Sequence, residues 1–275
     1  MKLLEDGRFH HTFRQSWLKT ADLCAERGRL EMYDHIDRTS DSAAIGTAVH
    51  SGIESWFENT NLGLSDITGT ALAKFRALAK EPDFYWTTHD MKSATKLAET
   101  CTEMWWRQVM PTLDPCARSE VEFRFPIIED DTRLIELSGT MDYYSERYGD
   151  LIDWKTGSRK YSQAEHERWA IQPTVYTLAA VKTLGLDPKA FKDQQVPFEF
   201  VIMLGKGKSP TVQRLGVTRG PDHWAWLERR CLAWAKLDEA ALEEWPMSDD
   251  HFLCSSKWCP HWATCKGAAV KDTWS

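Results

Sequence analysis

The sequence predicts a mixed α/β fold: a central mixed sheet flanked by helices, behind an N-terminal helical part. Apolar residues recur at helical spacing as far as Met110, where Pro111, Asp114 and Pro115 break the pattern. From Ala117 the period changes to two, with Val121, Phe123 and Phe125 alternating with Glu120, Glu122 and Arg124. Further strand-like runs, a helix, two more strands and a long amphipathic helix follow, an order that suits helices packed on a mixed sheet.

Phe13 to Met32 reads as the first helix, with Phe13, Trp17, Leu23 and Leu30 as apolar positions and Cys24 in the middle. Ser40-Asp41-Ser42 can cap a second helix near Ala43 to Phe57. That helix carries His50 among Ile45, Val49, Ile53, Trp56 and Phe57. Its small residues Ala44, Gly46, Ala48 and Gly52 leave room for something to approach the backbone closely. Leu62 to Thr70 has the composition of a loop, and helices are expected near Thr70 to Lys80 and Met91 to Met110. After the Val121 strand, Leu134, Glu136 and Ser138 lead into Gly139-Thr140-Met141-Asp142 as a second strand, and Leu151 to Trp154 form a third. A helix is expected over Ala164 to Leu184, and strands over Pro197 to Leu204 and Thr211 to Val217. The last helix runs from Pro221 to about Glu244. The chain thus divides into a helical part (1–115), a core (116–244) and a cysteine-rich tail (245–275).

A chain of 275 residues fits one large domain or a core with a subdomain. At 42% hydrophobic and 27% charged residues, a packed core is feasible. No apolar run of about 18 residues is present, so no membrane span is expected. Met1-Lys2-Leu3-Leu4-Glu5-Asp6-Gly7 lacks the apolar stretch of a secretion signal, and a cytoplasmic location is the expectation. A net charge of -7 argues against binding nucleic acid by bulk charge, though not against a local basic groove. Cys101, Cys116 and Cys231 read as buried thiols, while Cys254, Cys259 and Cys265 cluster.

The chemistry centres on Asp142 and on Asp153-Trp154-Lys155. Residues two apart on a strand share a face, so Asp153 and Lys155 project together. If the two runs pair as a hairpin, Asp142 approaches Asp153. Two carboxylates and an ammonium in a small space are costly unless a cation and an anionic substrate resolve them. Magnesium is often held by one or two carboxylates plus substrate oxygens, and it can stabilise charge on a phosphoryl group. Imidazole from His50 would suit manganese. Gln172 and Tyr176, four apart, share one helix face. Gly205-Lys206-Gly207-Lys208-Ser209 is not a phosphate-binding loop, because Ile202 stands where that motif needs glycine. Those lysines, Arg159, Lys160, Arg14 and Lys19 are candidates for contact with a phosphate backbone, with a solvated face as the plainer reading.

Gly46-Thr47-Ala48-Val49-His50, Gly139-Thr140-Met141-Asp142, Ile152-Asp153-Trp154-Lys155-Thr156-Gly157 and Gln172-Pro173-Thr174-Val175-Tyr176 occur in this order. Together they resemble the RecB-type nucleases of the PD-(D/E)xK superfamily. The resemblance implies a restriction-endonuclease-like core, with His50, Asp142 and Asp153 binding Mg or Mn. It makes Lys155 the catalytic lysine, Gln172 and Tyr176 DNA contacts, and Glu120 a further acid of the site. One early cysteine and three late ones is similar to the iron–sulfur arrangement of AddB nucleases and CRISPR-associated adaptation exonucleases. That implies a [4Fe-4S] cluster on Cys24, Cys254, Cys259 and Cys265. The residues alone leave zinc open, with His251 or His261 as a fourth ligand.

The expected activity is a metal-dependent DNA exonuclease acting on single strands or ends in recombination, repair or phage DNA processing. A structure-specific endonuclease and a non-catalytic DNA-binding subunit are the alternatives. A homo-oligomer or a recombination or adaptation partner protein is a further expectation.

Overall fold

A computed structural model describes residues 1–33, 38–157, 160–164, 171–205, 209–248, 254–256 and 258–265. Arg159, Lys206, Lys208 and His251 lie outside the described residues. The chain opens with β1 (Lys2–Leu3), β2 (Phe9–Arg14), α1 (Gln15–Leu23) and α2 (Ala25–Tyr33). β3 (Thr39–Ser40) and β4 (Phe84–Tyr85) form a separate two-stranded pair around α3 (Asp41–Glu58) and α4 (Leu64–Leu78). α5 (Met91–Met104) continues through a π-helical turn, Trp105–Val109. Then come β5 (Arg118–Glu129), β6 (Arg133–Ser145), β7 (Asp150–Gly157), α6 (Ile171–Thr183), β8 (Val196–Leu204), β9 (Thr211–Arg219) and α7 (Pro221–Glu239).

Seven strands form one mixed sheet. One side is covered by α1, α6 and α7, whose residues Leu18, Val175, Ala179 and Leu227 pack with Phe123, Leu137 and Phe198. The other is covered by α3, α4 and α5, where Ile45, Ile67 and Leu97 join Ile152, Trp154 and Val201. Trp154 packs edge-on against Trp105 and Tyr143, which fixes β7 against the second layer.

Several elements differ from the sequence expectation. Phe13 lies on a strand: His11 and Phe13 point inward while Thr12 and Arg14 point out, and β2 pairs in parallel with β6. The expected single helix breaks at Cys24, which is extended. Gly28 permits α2 to fold back, since a Cβ there would stand 2.8 Å from the Ala21 Cβ. The Trp17 indole donates to the Gly28 carbonyl and holds the corner. α4 starts at Leu64, inside the stretch expected to be loop, and Asp66 caps it by accepting from Gly63 N at 2.9 Å. α7 ends at Glu239, short of Glu244.

β6 organises the sheet. β5 pairs along one of its edges from Arg118↔Tyr144 to Glu129↔Leu134. The other edge is shared: β2 takes Arg133 to Ser138, and β7 takes Tyr143 to Ser145. Gly139 to Asp142 therefore face a fork where β2 has left and β7 has not yet joined, with no ladder partner on that edge among the described residues.

The small residues of α3 have two uses. At Gly52 a Cβ would stand 2.7 Å from the Ile67 carbonyl oxygen, so α4 is what approaches there. Gly46 faces Thr156 on β7. The start of α3 is pinned by Asp41, which is fully buried. Its carboxylate accepts from Thr88 N (3.1 Å), His89 N (2.6 Å) and His89 Nδ1 (2.9 Å), and from the amide and hydroxyl of Thr87. Burial works to raise its pKa, but these donors outweigh burial and hold it well below the usual carboxylate range. Its stabilising effect is full above the unfolded value near 3.8 and fades as pH falls through the depressed folded value. Asp41→Asn is expected to cost about 2–3 kcal/mol in urea unfolding at pH 7. The deficit should shrink below about pH 3.

Candidate active site

Three acids from three strands meet at the fork. Ser119↔Tyr143 and Val121↔Met141 bracket Glu120 opposite Asp142, and Tyr143↔Ile152 brings Asp142 alongside Asp153. Glu120 has φ of 46°, a left-handed conformation inside a strand. For a non-glycine residue this costs about 1–3 kcal/mol, strain typical of positions held for a purpose. The Asp142 Oδ2 accepts from Trp154 N at 2.7 Å, so a side chain takes the place of a ladder bond where β7 diverges.

His50 reaches the row from α3. Its Nε2 donates to the Trp154 carbonyl at 2.9 Å, and Nδ1 faces Asp142 Oδ2 at 3.7 Å and Glu120 Oε1 at 3.8 Å. One donor atom each from His50, Glu120 and Asp142 lies within 4.8 Å of the others, a spacing that can hold a metal ion. Fixing one imidazole nitrogen on a carbonyl leaves the other available as a ligand. Burial works to lower the His50 pKa, but the Asp142 charge and Glu120 outweigh it and raise it to about 9. A proton thus sits where the carboxylates call for a cation.

Asp153 is fully buried and stands next to that group. Its Oδ2 is 2.5 Å from Lys155 Nζ, as the two-residue spacing predicts, and its Oδ1 accepts from Gln172 Nε2 at 2.5 Å. Burial and then the charge of Asp142 push the Asp153 carboxyl up to about 7, against the pull of Lys155. Gln172 Nε2 also donates to the Tyr176 hydroxyl at 3.1 Å, so the shared helix face of these two residues orients Asp153. Tyr176 is buried against Phe123 and Phe198, and burial, then Asp153, raises its pKa.

A cavity of about 500 Å³ opens beside the row, lined by Thr47, His50, Glu54, Lys74, Glu120, Lys155 and Thr156. Glu54, four residues after His50, and Lys74 on α4 were missed in the sequence. Helical spacing from His50 could have found Glu54; nothing local marks Lys74. Lys19 on α1 is exposed, yet partial loss of water around its ammonium and then the charge of Lys155 lower its pKa. A larger cavity, about 720 Å³, lies over Asp150, Glu199 and Arg214 and contains none of the residues assigned to the site from sequence.

The cysteines lie elsewhere. Cys24, at the break between α1 and α2, accepts from Ser248 N at 3.4 Å, and Cys265 Sγ is 3.7 Å from Met247 Sδ. Glu26 N donates to the Pro246 carbonyl at 2.9 Å, so the tail docks on the first helices. Cys254 and Cys259 are half-buried. No three of the thiols come within 4.8 Å of one another among the described residues.

The fold resembles solved structures at low identity. A crystal structure named "Putative exonuclease" from Eubacterium rectale aligns over 92% of this chain and 92% of its own, with a TM-score of 0.55 and 14% identity. The crystal structure of SSO0001 aligns over 94% of this chain and 88% of its own, with a TM-score of 0.47 and 14% identity. No curated protein matches the sequence. The PD-(D/E)XK nuclease superfamily profile matches residues 14–266. That match runs from the end of β2 to just past Cys265 and takes in His50, the three acids of the fork and Lys155, so the chain belongs to the PD-(D/E)XK nuclease superfamily.

Proposed function

We propose that this protein is a metal-dependent DNA exonuclease of the RecB-like type, acting on single strands or strand ends. The observation that carries the reading is the convergence of His50 Nδ1, Glu120 and Asp142 beside the Asp153–Lys155 pair. One nitrogen and several carboxylate oxygens suit Mg²⁺ or Mn²⁺. His50, Asp142 and Asp153, with Glu120, are the residues that would hold the ion. When bound, it supplies Lewis-acid stabilisation of charge on the phosphodiester. Lys155, held by Asp153, positions the attacking water or offsets the developing phosphate charge. Gln172 and Tyr176 keep the Asp153 carboxylate aimed. The exonuclease assignment draws on the sequence resemblance and on the name of the Eubacterium rectale protein.

The test is hydrolysis of labelled DNA with Mg²⁺ or Mn²⁺. A linear single strand should be degraded from its ends and a circular one left intact; cutting of the circle would make the protein an endonuclease. Binding without turnover would make it a DNA-binding subunit. Metal binding has its own readout. Mn²⁺ at about 100 times its Kd is expected to add about 2.7 kcal/mol of stability at pH 8. Asp142→Asn should abolish that gain, and an equal gain in this variant would remove Asp142 from the ligand set.

For the cysteines we propose the [4Fe-4S] cluster on Cys24, Cys254, Cys259 and Cys265. Docking of the tail beside Cys24 supports it.

A further inference from the structure

A groove of about 910 Å³ begins beside Tyr176 and Thr140 and runs along β6 to the N-terminus of α1. Its walls mix hydroxyls and arginines, and it approaches the acid row through Tyr176, which is bonded to Gln172 and through it to Asp153. Glu31 and Arg124, also in the walls, are engaged with Arg27 and Glu136. Arg14 is exposed there and makes no ion pair among the described residues.

We propose that the N-terminus of α1, with Arg14, Gln15 and Ser16, is a phosphate-binding subsite for the backbone phosphate next to the one at the acid row. The proposal rests on the nuclease reading of that row. α1 has nine residues and no side-chain cap at its N-cap, Arg14, so its first-turn N–H groups present their partial positive charge to the groove. Gln15 is the independent sign of a ligand. It is 8% exposed, lines the groove, and its amide makes no hydrogen bond among the described residues. The amide therefore stands ready to bond a group that enters the groove. Gly139 on β6 provides its place: a Cβ there would stand 3.4 Å from the Gln15 Cβ and 2.7 Å from Phe123 Cζ. Ser16 adds an exposed hydroxyl. The fork explains the placement, because β2 leaves β6 at Ser138 and α1 starts at the next residue after Arg14, facing the unpaired stretch that ends in Asp142. The exposed Glu122 stands across β6 and opposes an anion, so the subsite suits one phosphate of a chain held at both ends rather than a free phosphate ion.

The test uses the full-length protein with Ca²⁺ in place of Mg²⁺ and a series of single-stranded oligodeoxynucleotides, each with one neutral methylphosphonate linkage. Binding is followed by fluorescence anisotropy against salt. Arg14→Gln is expected to weaken binding of the unmodified strand about 5- to 10-fold and to lower the log–log salt slope by about 0.7, the value for one phosphate of a single strand. One neutral linkage should weaken the parent by a similar factor and leave Arg14→Gln unaffected, the signature of a direct pair. Gln15→Leu should weaken binding with no change in salt slope, since it removes a neutral hydrogen bond. An unchanged slope for Arg14→Gln, or no linkage whose effect disappears in it, overturns the subsite. Degradation of DNA by the same preparations with Mg²⁺ keeps the two readings apart: cleavage with no Arg14 effect sinks the subsite alone, and absence of cleavage sinks the nuclease reading.

Discussion

Asp153→Asn is expected to reduce metal-dependent DNA hydrolysis by about a hundred- to a thousand-fold and to leave the metal-free protein no less stable at pH 8. The two halves have one cause. Asp153 is fully buried beside Asp142, and its carboxyl is pushed up to about 7 by burial and that neighbouring charge. A carboxyl whose folded pKa is raised favours folding below its unfolded value near 3.8, and that advantage is lost as pH rises through about 7. At pH 8 the ionised group therefore works against the fold. Asparagine removes that charge and can still accept from Gln172. The Lys155 it abandons is 37% exposed and can turn to water. Thermal midpoints of parent and variant should converge near pH 4, draw apart in favour of the variant as pH rises to about 7, and keep that gap above it. Lys155→Ala should lose comparable activity and also lose stability above pH 7, because Asp153 is left without its cation. Parental turnover in either variant would remove the Asp153–Lys155 pair from the mechanism.

Cys254→Ser is expected to strip iron and sulfide from anaerobically prepared protein and to lower its thermal midpoint by on the order of 10 °C. The proposed cluster joins Cys24, between the first two helices, to a tail in which only turns and bends occur among the described residues. Such a tail has no helix or strand of its own among the described residues, and cross-linking it closes most of the chain into one loop. Closing a loop of that size is worth on the order of 5 kcal/mol of chain entropy. The Cys24–Ser248 and Cys265–Met247 contacts involve neither His50 nor the acid row. The surviving folded fraction should therefore cut DNA at the parental rate per molecule. Colourless protein carrying stoichiometric zinc would overturn the cluster, and an unchanged midpoint after loss of iron would overturn its role as a cross-link.

Much of the fold was legible because period-two patterning is strong where a strand is long. β5, β6 and β7 stand where Val121, Gly139 and Leu151 marked them, and α3 begins at the Ser40 cap, whose hydroxyl accepts from Ala43 N. β2 was not legible. His11 and Phe13 give only two inward positions, and Phe13 with Trp17 also fits helical spacing. The break at Cys24 has no proline or glycine at the break itself; it follows from the close contact of Gly28 with Ala21, which local sequence does not reveal.

The sequence by itself determined which elements carry the candidate residues: His50 on a helix, Asp142 on one strand, Asp153 and Lys155 sharing a face of the next, Gln172 and Tyr176 sharing a helical turn. Each follows from a period of two or of 3.6, which is a local property of the chain. Tertiary structure decided the groupings. Glu120 joins His50 and Asp142 through a left-handed residue in register with β6, while Asp153 turns to Lys155 and Gln172. It also placed the start of α1 against Gly139 on β6, because β2 and β7 divide one edge of β6 and leave a fork between them. Periodicity fixes which face a side chain occupies. Which faces meet is set by long-range strand pairing, and that is a property of the whole fold.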